Sequence, residues 1–275
     1  MLSLFHRPIA HFFSSSPTLF RFKPLFLGQI LNMLALYLKE VRGFLSSIIG
    51  YVFMSIFLLS TGIFLWIVSY DTNLLEAKIA DLIPFFNLAP TIFLILIPAI
   101  TMRSFAEERR TGTIELLFTK PLFEWQIVLS KFLAGTTLVF ISVLPTLIYF
   151  VSIYRLADPV GNMDFGATVT SFIGLLLIGA CFVSIGLFAS SLTQSQIVAF
   201  IIAMFGTWML FEGLDMLGSF NVLGKLDYVI RYIGIKSHYT SIMKGVVDSR
   251  DVIYFLSLMV LFLFATITVV KGQKR

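Results

Sequence analysis

The sequence predicts an all-α, polytopic membrane protein with six transmembrane helices. Of its 275 residues 58% are hydrophobic and 13% charged, with a mean hydropathy of +0.94. A soluble domain carries roughly 25% charged residues, so a water-soluble fold of this length could not bury so much apolar surface. Long stretches without charge, at 43–70, 82–102, 132–154, 165–211 and 252–270, match the ~20 residues needed to cross a bilayer as a helix.

The fourth stretch is too long for one crossing. The polar patch Ser190-Ser191-Leu192-Thr193-Gln194-Ser195-Gln196 divides it, as a tight turn at a membrane surface would. Six spans follow, at about 48–69, 83–102, 127–152, 168–189, 197–213 and 252–270. With six spans both termini share one side. That side, counting residues 1–47, 103–131 and 271–275, holds thirteen of the 20 Lys and Arg residues, Lys131 among them. The excess predicts that it is cytoplasmic. Localisation to a bacterial inner membrane, with both termini inside, is the matching expectation.

Residues 33–48 read as an amphipathic helix that leads into the first span. Met33, Leu34, Tyr37, Val41, Phe44, Leu45 and Ile48 recur at helical spacing, while Lys39, Glu40, Arg42, Ser46 and Ser47 fall on the other face. Such a helix belongs at the cytoplasmic interface. Residues 1–32 mix His, Pro, Ser and Phe with no helical stripe. They are expected to be a dispensable extension, with the membrane domain at 33–275.

Within the spans, Pro84, Pro90 and Pro98 interrupt the second and Pro145 the third, each removing a backbone hydrogen bond and inviting a kink. Gly174, Gly179 and Gly186, with Ala180 and Ser184, make one side of the fourth span small, which favours close helix packing. Loop 212–251 carries five acids and five bases, with Leu226, Val229, Ile230 and Ile233 at helical spacing. It fits either a partly re-entrant hairpin or a helix resting on lipid headgroups. Glu212 and Asp215, at the end of the fifth span, are placed to reach interfacial water.

Several chemistries are excluded. No Gly-x-x-x-x-Gly-Lys-Ser/Thr loop occurs, and Gly224-Lys225-Leu226 lacks the required spacing and hydroxyl, so ATP hydrolysis is not expected in this chain. There is no His-Glu-x-x-His pattern. Glu107-Glu108 resembles a paired-Glu protease motif, but the Arg required four positions later is Gly112. The lone Cys181 reads as a small packed hydrophobe. The scattered His6, His11 and His238 suggest no metal site, and no cofactor or nucleic acid is expected.

The most informative segment lies between spans two and three. Arg103-Ser-Phe-Ala-Glu-Glu-Arg-Arg-Thr-Gly112 packs charges of both signs before a glycine. A short helical pattern follows through Ile114, Leu117 and Phe118, and Pro121 stops it. Glu108, then Gly112-Thr113-x-Glu115-Leu116-Leu117 and Thr119-x-Pro121, resembles the cytoplasmic signature of ABC-2 type transporter permeases. The resemblance covers about 33–275. It implies a coupling helix in which Glu108, Gly112, Thr113, Glu115 and Leu116 meet a separate ABC ATPase subunit. The ATPase would be present in two copies and would bind ATP and Mg itself. A second permease copy or a sister membrane subunit, within membrane lipid, completes the implied assembly. Arg110 and Thr111, directly before the glycine, depart from the pattern of many relatives.

A second match is Gly245-Val-Val-Asp248-Ser-Arg-Asp251-Val-Ile-Tyr254-Phe255. It resembles the extracytoplasmic helices and last span of the same family, especially the permease subunit linked to gliding motility in Bacteroidetes. Two functions of different class are therefore expected: an ATP-driven permease subunit, or a membrane scaffold of a motility or envelope machine through which nothing passes.

Overall fold

The computed structural model describes residues 18–68, 73–74, 81–118, 122–220, 224–245 and 248–273, with side chains from Leu31 onward except those of 116–118 and 225–226. Every regular element among the described residues is a helix, and none is a strand. In chain order the helices are α1 (Thr18–Leu45), α2 (Ile48–Trp66), α3 (Ile83–Thr101), α4 (Arg103–Arg110), α5 (Thr113–Phe118), α6 (Glu124–Val143), α7 (Leu147–Leu156), α8 (Phe165–Leu192), α9 (Gln196–Trp208), α10 (Leu214–Ser219), α11 (Lys225–Ile233), α12 (Ile235–Met243) and α13 (Ser249–Gln273). Six apolar rods result, Ile48–Trp66, Ile83–Arg110, Glu124–Leu156, Phe165–Leu192, Gln196–Ser219 and Ser249–Gln273, each long enough to cross a bilayer. The chain is a multi-pass membrane protein, as hydropathy predicts.

The axis of the bundle is α8. Asp164 starts it by accepting the Ala167 amide at 2.9 Å, and α3, α6, α9, α12 and α13 all pack on it. The small residues make this possible. A Cβ on Gly179 would press on Val139 of α6 at 2.7 Å, and one on Gly174 would meet Ile242 of α12 at 3.0 Å. At Gly186 it would collide with the Thr101 side chain of α3. The small side of the fourth span thus serves three different neighbours within one chain. By contrast α2, α9 and α13 turn outward Tyr51, Leu59, Ile197, Phe205, Val260 and Phe264, a surface suited to hydrocarbon.

Three local features differ from the sequence expectation. First, α1 begins at Thr18 rather than near Met33 and ends at Leu45; residues 1–17 lie outside the described residues. Its inner face carries Leu36, Tyr37 and Glu40 against α6, whereas Leu34 and Leu38 face out. Glu40 is therefore on the packed face, not the solvated one. The chain turns at Ser46–Ser47, where Ser47 caps α2 through the Gly50 amide at 3.2 Å. Gly50 lies against the Phe44 carbonyl, where a side chain would not fit. Second, Pro84 sits in the first turn of α3, where no helical bond is lost; only Pro90 and Pro98 lie inside that helix. Pro145 lies in a short 3-10 turn, Leu144–Thr146, between α6 and α7, as an interrupted span requires. Third, a π-helical turn at Met209–Gly213 joins α9 to α10; a single widened turn of this kind has no clear signature in sequence.

Within 212–251 the described residues form α10 and a helical hairpin, α11 and α12, before α13 begins. The second arm packs against α8 and α13 with Ile235, His238, Tyr239 and Ile242 buried. Tyr239 donates to the Phe86 carbonyl of α3 at 2.7 Å. This arm is inserted among the spans, whereas α11, which carries the stripe read from sequence, leaves Val229 and Ile233 exposed. Glu212 and Asp215 turn to Lys236 at 2.6 and 3.8 Å, an ion cluster holding the hairpin to α10. The bundle thus has a proximal end, with α4, α5 and the α8–α9 turn, and a distal end, with α10 to α12.

Replacing Gly186 by valine should force α3 and α8 apart and lower stability by about 1–3 kcal/mol, the usual cost of overpacking. Alanine at Gly206, whose Cβ would make only an ordinary 3.5 Å contact, should leave it unchanged. Thermal unfolding of the two purified variants in one detergent checks both.

Candidate functional site

At the proximal end the rod that begins as α3 runs on into α4 across Met102. The junction is held by α8. Ser190 Oγ accepts the Phe105 and Ala106 amides at 3.0 and 3.1 Å and donates to the Met102 carbonyl at 2.9 Å. Backbone groups displaced at the junction therefore keep partners away from water. Arg109 reaches the Ser191 carbonyl at 2.8 Å, and Gln273 of α13 donates to the same oxygen at 3.0 Å. Ser190 and Ser191 are fully buried. The residues expected as a polar turn do begin one, since α8 ends at Leu192 and α9 starts at Gln196. Two of them also clamp α4.

On the other side of α4, Lys131 of α6 is 3% exposed. Its Nζ lies 2.7 Å from Glu108 Oε1 and 3.3 Å from Glu40 Oε1, and 5.3 Å from the centre of the Phe105 ring. One cation thus joins α1, α4 and α6. Glu108 Oε2 is buried with no hydrogen-bond partner among the described residues. Lys131 is an interior residue of the proximal end, although the cation count groups it with the loop residues of that side. The pattern hides this: Lys131 is the only charge for several residues on either side, and its partners are 91 and 23 positions away. Tyr37 adds a bond to Thr137 at 2.9 Å along the same α1–α6 seam. A cavity of about 300 Å³ remains between α1 and α4, bordered by Lys39, Phe44, Arg103 and Glu108.

Beyond this base the segment turns outward. Arg103 and Glu107 form a two-bond pair at 2.7 and 3.0 Å along α4. Thr111 closes the helix by donating to the Glu107 carbonyl at 2.8 Å. Gly112 then takes φ +71°, a left-handed turn that glycine enters without strain. The next helix, α5, starts at Thr113. Arg110, Thr111, Gly112, Thr113 and Glu115 are exposed. The site residues named from sequence therefore separate. Gly112, Thr113 and Glu115 stand at an exposed tip, whereas Glu108 turns inward onto Lys131. Leu116 is placed in α5, but its side chain, like Thr119 and Pro121, lies outside what is described.

The second motif lies at the distal end, since Gly245 packs on Ala167, at the opposite end of α8 from Ser190. Gly245 ends α12 with φ +85°. Asp248 starts α13, its carboxylate accepting the Arg250 amide at 2.9 Å. Asp251 reaches back to His238 Nδ1 at 2.7 Å. His238 carried no motif of its own in the sequence.

Lys131→Met should leave Glu40 and Glu108 facing each other without their cation, at a cost of about 3–5 kcal/mol. Adding Glu108→Gln should recover part of that loss. Unfolding midpoints of the single and double variants measure the coupling; independent, additive losses would show that the three charges do not act together.

A family model described as ABC-2 family transporter protein matches residues 34–274. No curated protein matches the chain.

Proposed function

The chain belongs to the ABC-2 family of transporter proteins, and from that premise we propose that it is the permease subunit of an ATP-driven transporter, moved by a separate ATPase subunit through residues 104–121. ABC-2 membership implies an ABC ATPase as partner in general. One observation carries the reading: the coupling segment has an exposed tip, Arg110–Glu115, on a base fixed by Ser190, Arg109 and the Lys131 ion cluster. A tip can dock a soluble partner, and only a stiff base can pass its displacement on.

The proposed sequence of motion starts when ATP closes two ATPase subunits, which supply the nucleotide site this chain lacks. The tips are drawn together. Through Ser190 the movement enters α8, and through Glu108 and Lys131 it enters α6 and α1. A pathway or lateral groove between two permease copies, or between this chain and a sister subunit, then changes access. Glu115 and Arg110 offer charges of both signs to the partner. Glu108 acts differently from its neighbours, positioning α4 from beneath.

The finer assignment, a role in gliding motility or envelope export, is supported by the likeness of Gly245–Phe255 to the permease linked to gliding. An inner-membrane location with cytoplasmic termini is supported by the Lys and Arg excess at the proximal end. The same assignment makes the distal end the outer face.

Affinity capture from mildly solubilised native membranes tests the proposal. The wild-type chain should bring down an ABC ATPase. Glu115→Arg should reduce recovery about tenfold or more at unchanged permease level, the scale for disrupting an interfacial charge. Glu108→Arg should instead lower the amount of folded permease, because it sets two cations face to face. If the wild type captures no ATPase, the permease reading falls and the non-transporting scaffold takes its place.

A further inference from the structure

The distal end holds a second buried polar pair, unrelated to the coupling segment. His238 of α12 is 4% exposed and Asp251 of α13 7%. Nδ1 of the imidazole lies 2.7 Å from Asp251 Oδ1, and Nε2 lies 2.8 Å from the Tyr232 carbonyl at the end of α11. The Tyr254 ring stacks on the imidazole at 3.9 Å, and the Tyr232 ring meets it edge-on at 4.9 Å.

The geometry points to a bound proton at this pair, one that locks the α11–α12 hairpin onto α13. A carbonyl oxygen only accepts, so Nε2 must carry a hydrogen. The short Nδ1–carboxylate contact needs a second hydrogen, on the ring or on the acid. A neutral imidazole facing an ionised Asp251 has only one hydrogen for two acceptors. Whichever tautomer forms, one lone pair then points at an oxygen lone pair, in a site where both side chains are buried from solvent. Loss of the proton therefore breaks one of the two ties, to α11 or to α13. The remaining oxygen, Asp251 Oδ2, is buried with no partner among the described residues.

The surrounding groups do not substitute for the proton. From α13, Tyr254 donates its hydroxyl to the Ile233 carbonyl at 2.6 Å. Behind it, from α8, the Cys181 thiol donates to the Phe255 carbonyl at 3.5 Å. From α11, Tyr232 presents its ring and carbonyl. On α12 itself, Lys236 is turned to Glu212 and Asp215 beside α10, and Asp248 is engaged with the Arg250 amide. None supplies a hydrogen to the Asp251 carboxylate.

The lock controls a wall. The far end of α12, Met243 and Lys244, borders a half-open cavity of about 1090 Å³ that also meets Trp66, Phe86, Asp164 and Ser171. Ser171 donates to the Met243 carbonyl at 3.2 Å. Release of α12 from α13 loosens that wall. Under the permease reading this gates the outer mouth by pH. The lock itself does not depend on that reading, and its test measures only the hairpin.

Hydrogen exchange of the full-length chain in lipid nanodiscs, from about pH 6 to about pH 9, reads it directly, with exchange of α8 amides correcting for the intrinsic effect of pH. Relative protection of the α12 amides should fall about tenfold or more as pH rises. His238→Ala should remove that protection at every pH. Asp251→Asn is the deciding variant: its amide can donate to Nδ1 of a neutral imidazole, so α12 should stay protected throughout and lose its pH dependence. Flat wild-type protection would overturn the proposal. So would an Asp251→Asn chain that still loosens with pH, or one loosened at every pH, since the carboxylate would then be a simple structural contact.

Discussion

Close approach to α8 is the constraint on which the rest of the molecule depends. Inside a bilayer apolar side chains gain nothing by leaving lipid for protein, so helices associate through tight packing and a few polar ties. Gly174, Gly179 and Gly186 let α12, α6 and α3 approach one rod at successive heights. The distal hairpin, the third span and the coupling segment are therefore all referred to the same axis. With bulky residues at those positions each neighbour would sit further out, and Ser190 could not reach the α3–α4 junction.

Among the described residues the buried ion pairs between helices lie at the two ends of that axis and are of the same type at each. Lys131 bridges two carboxylates, and His238 bridges a carboxylate and a carbonyl. Buried ionic groups of this kind are poor sources of net stability, because desolvation offsets most of the attraction. What they supply is register: one cation with two fixed acceptors allows a single arrangement of three helices. At the proximal end that fixes where the exposed tip stands. At the distal end it fixes how the hairpin lies on the last span.

Much of this was legible in the sequence, for a simple reason. Spans announce themselves because every residue facing lipid must be apolar, and all six fall where hydropathy places them. The left-handed turn at Gly112 and the break at Pro145 were legible because backbone chemistry there is local. The inward turn of Glu108, the packed face of Glu40 and the pairing of His238 were not. Each depends on a partner contributed by another helix, and a single chain read in order gives no sign of who faces whom. Lys131 is the clearest case: in sequence it counts only among the cations of one side, and the approach of α1 and α4 buries it. The start of α1 at Thr18 was missed because residues 1–32 lack a stripe, whereas a helix can continue beyond its amphipathic part.

The shared carbonyl of Ser191 has a practical corollary for anyone handling this protein. It receives Arg109 from the coupling segment and Gln273 from the last turn of α13. Whatever is fused just after that turn pulls on the same atom that steadies α4. A carboxy-terminal affinity handle or fluorescent reporter therefore risks altering the behaviour it is meant to report. Labels are better placed upstream of the α1 face that meets α6, or separated from Gln273 by a long flexible spacer.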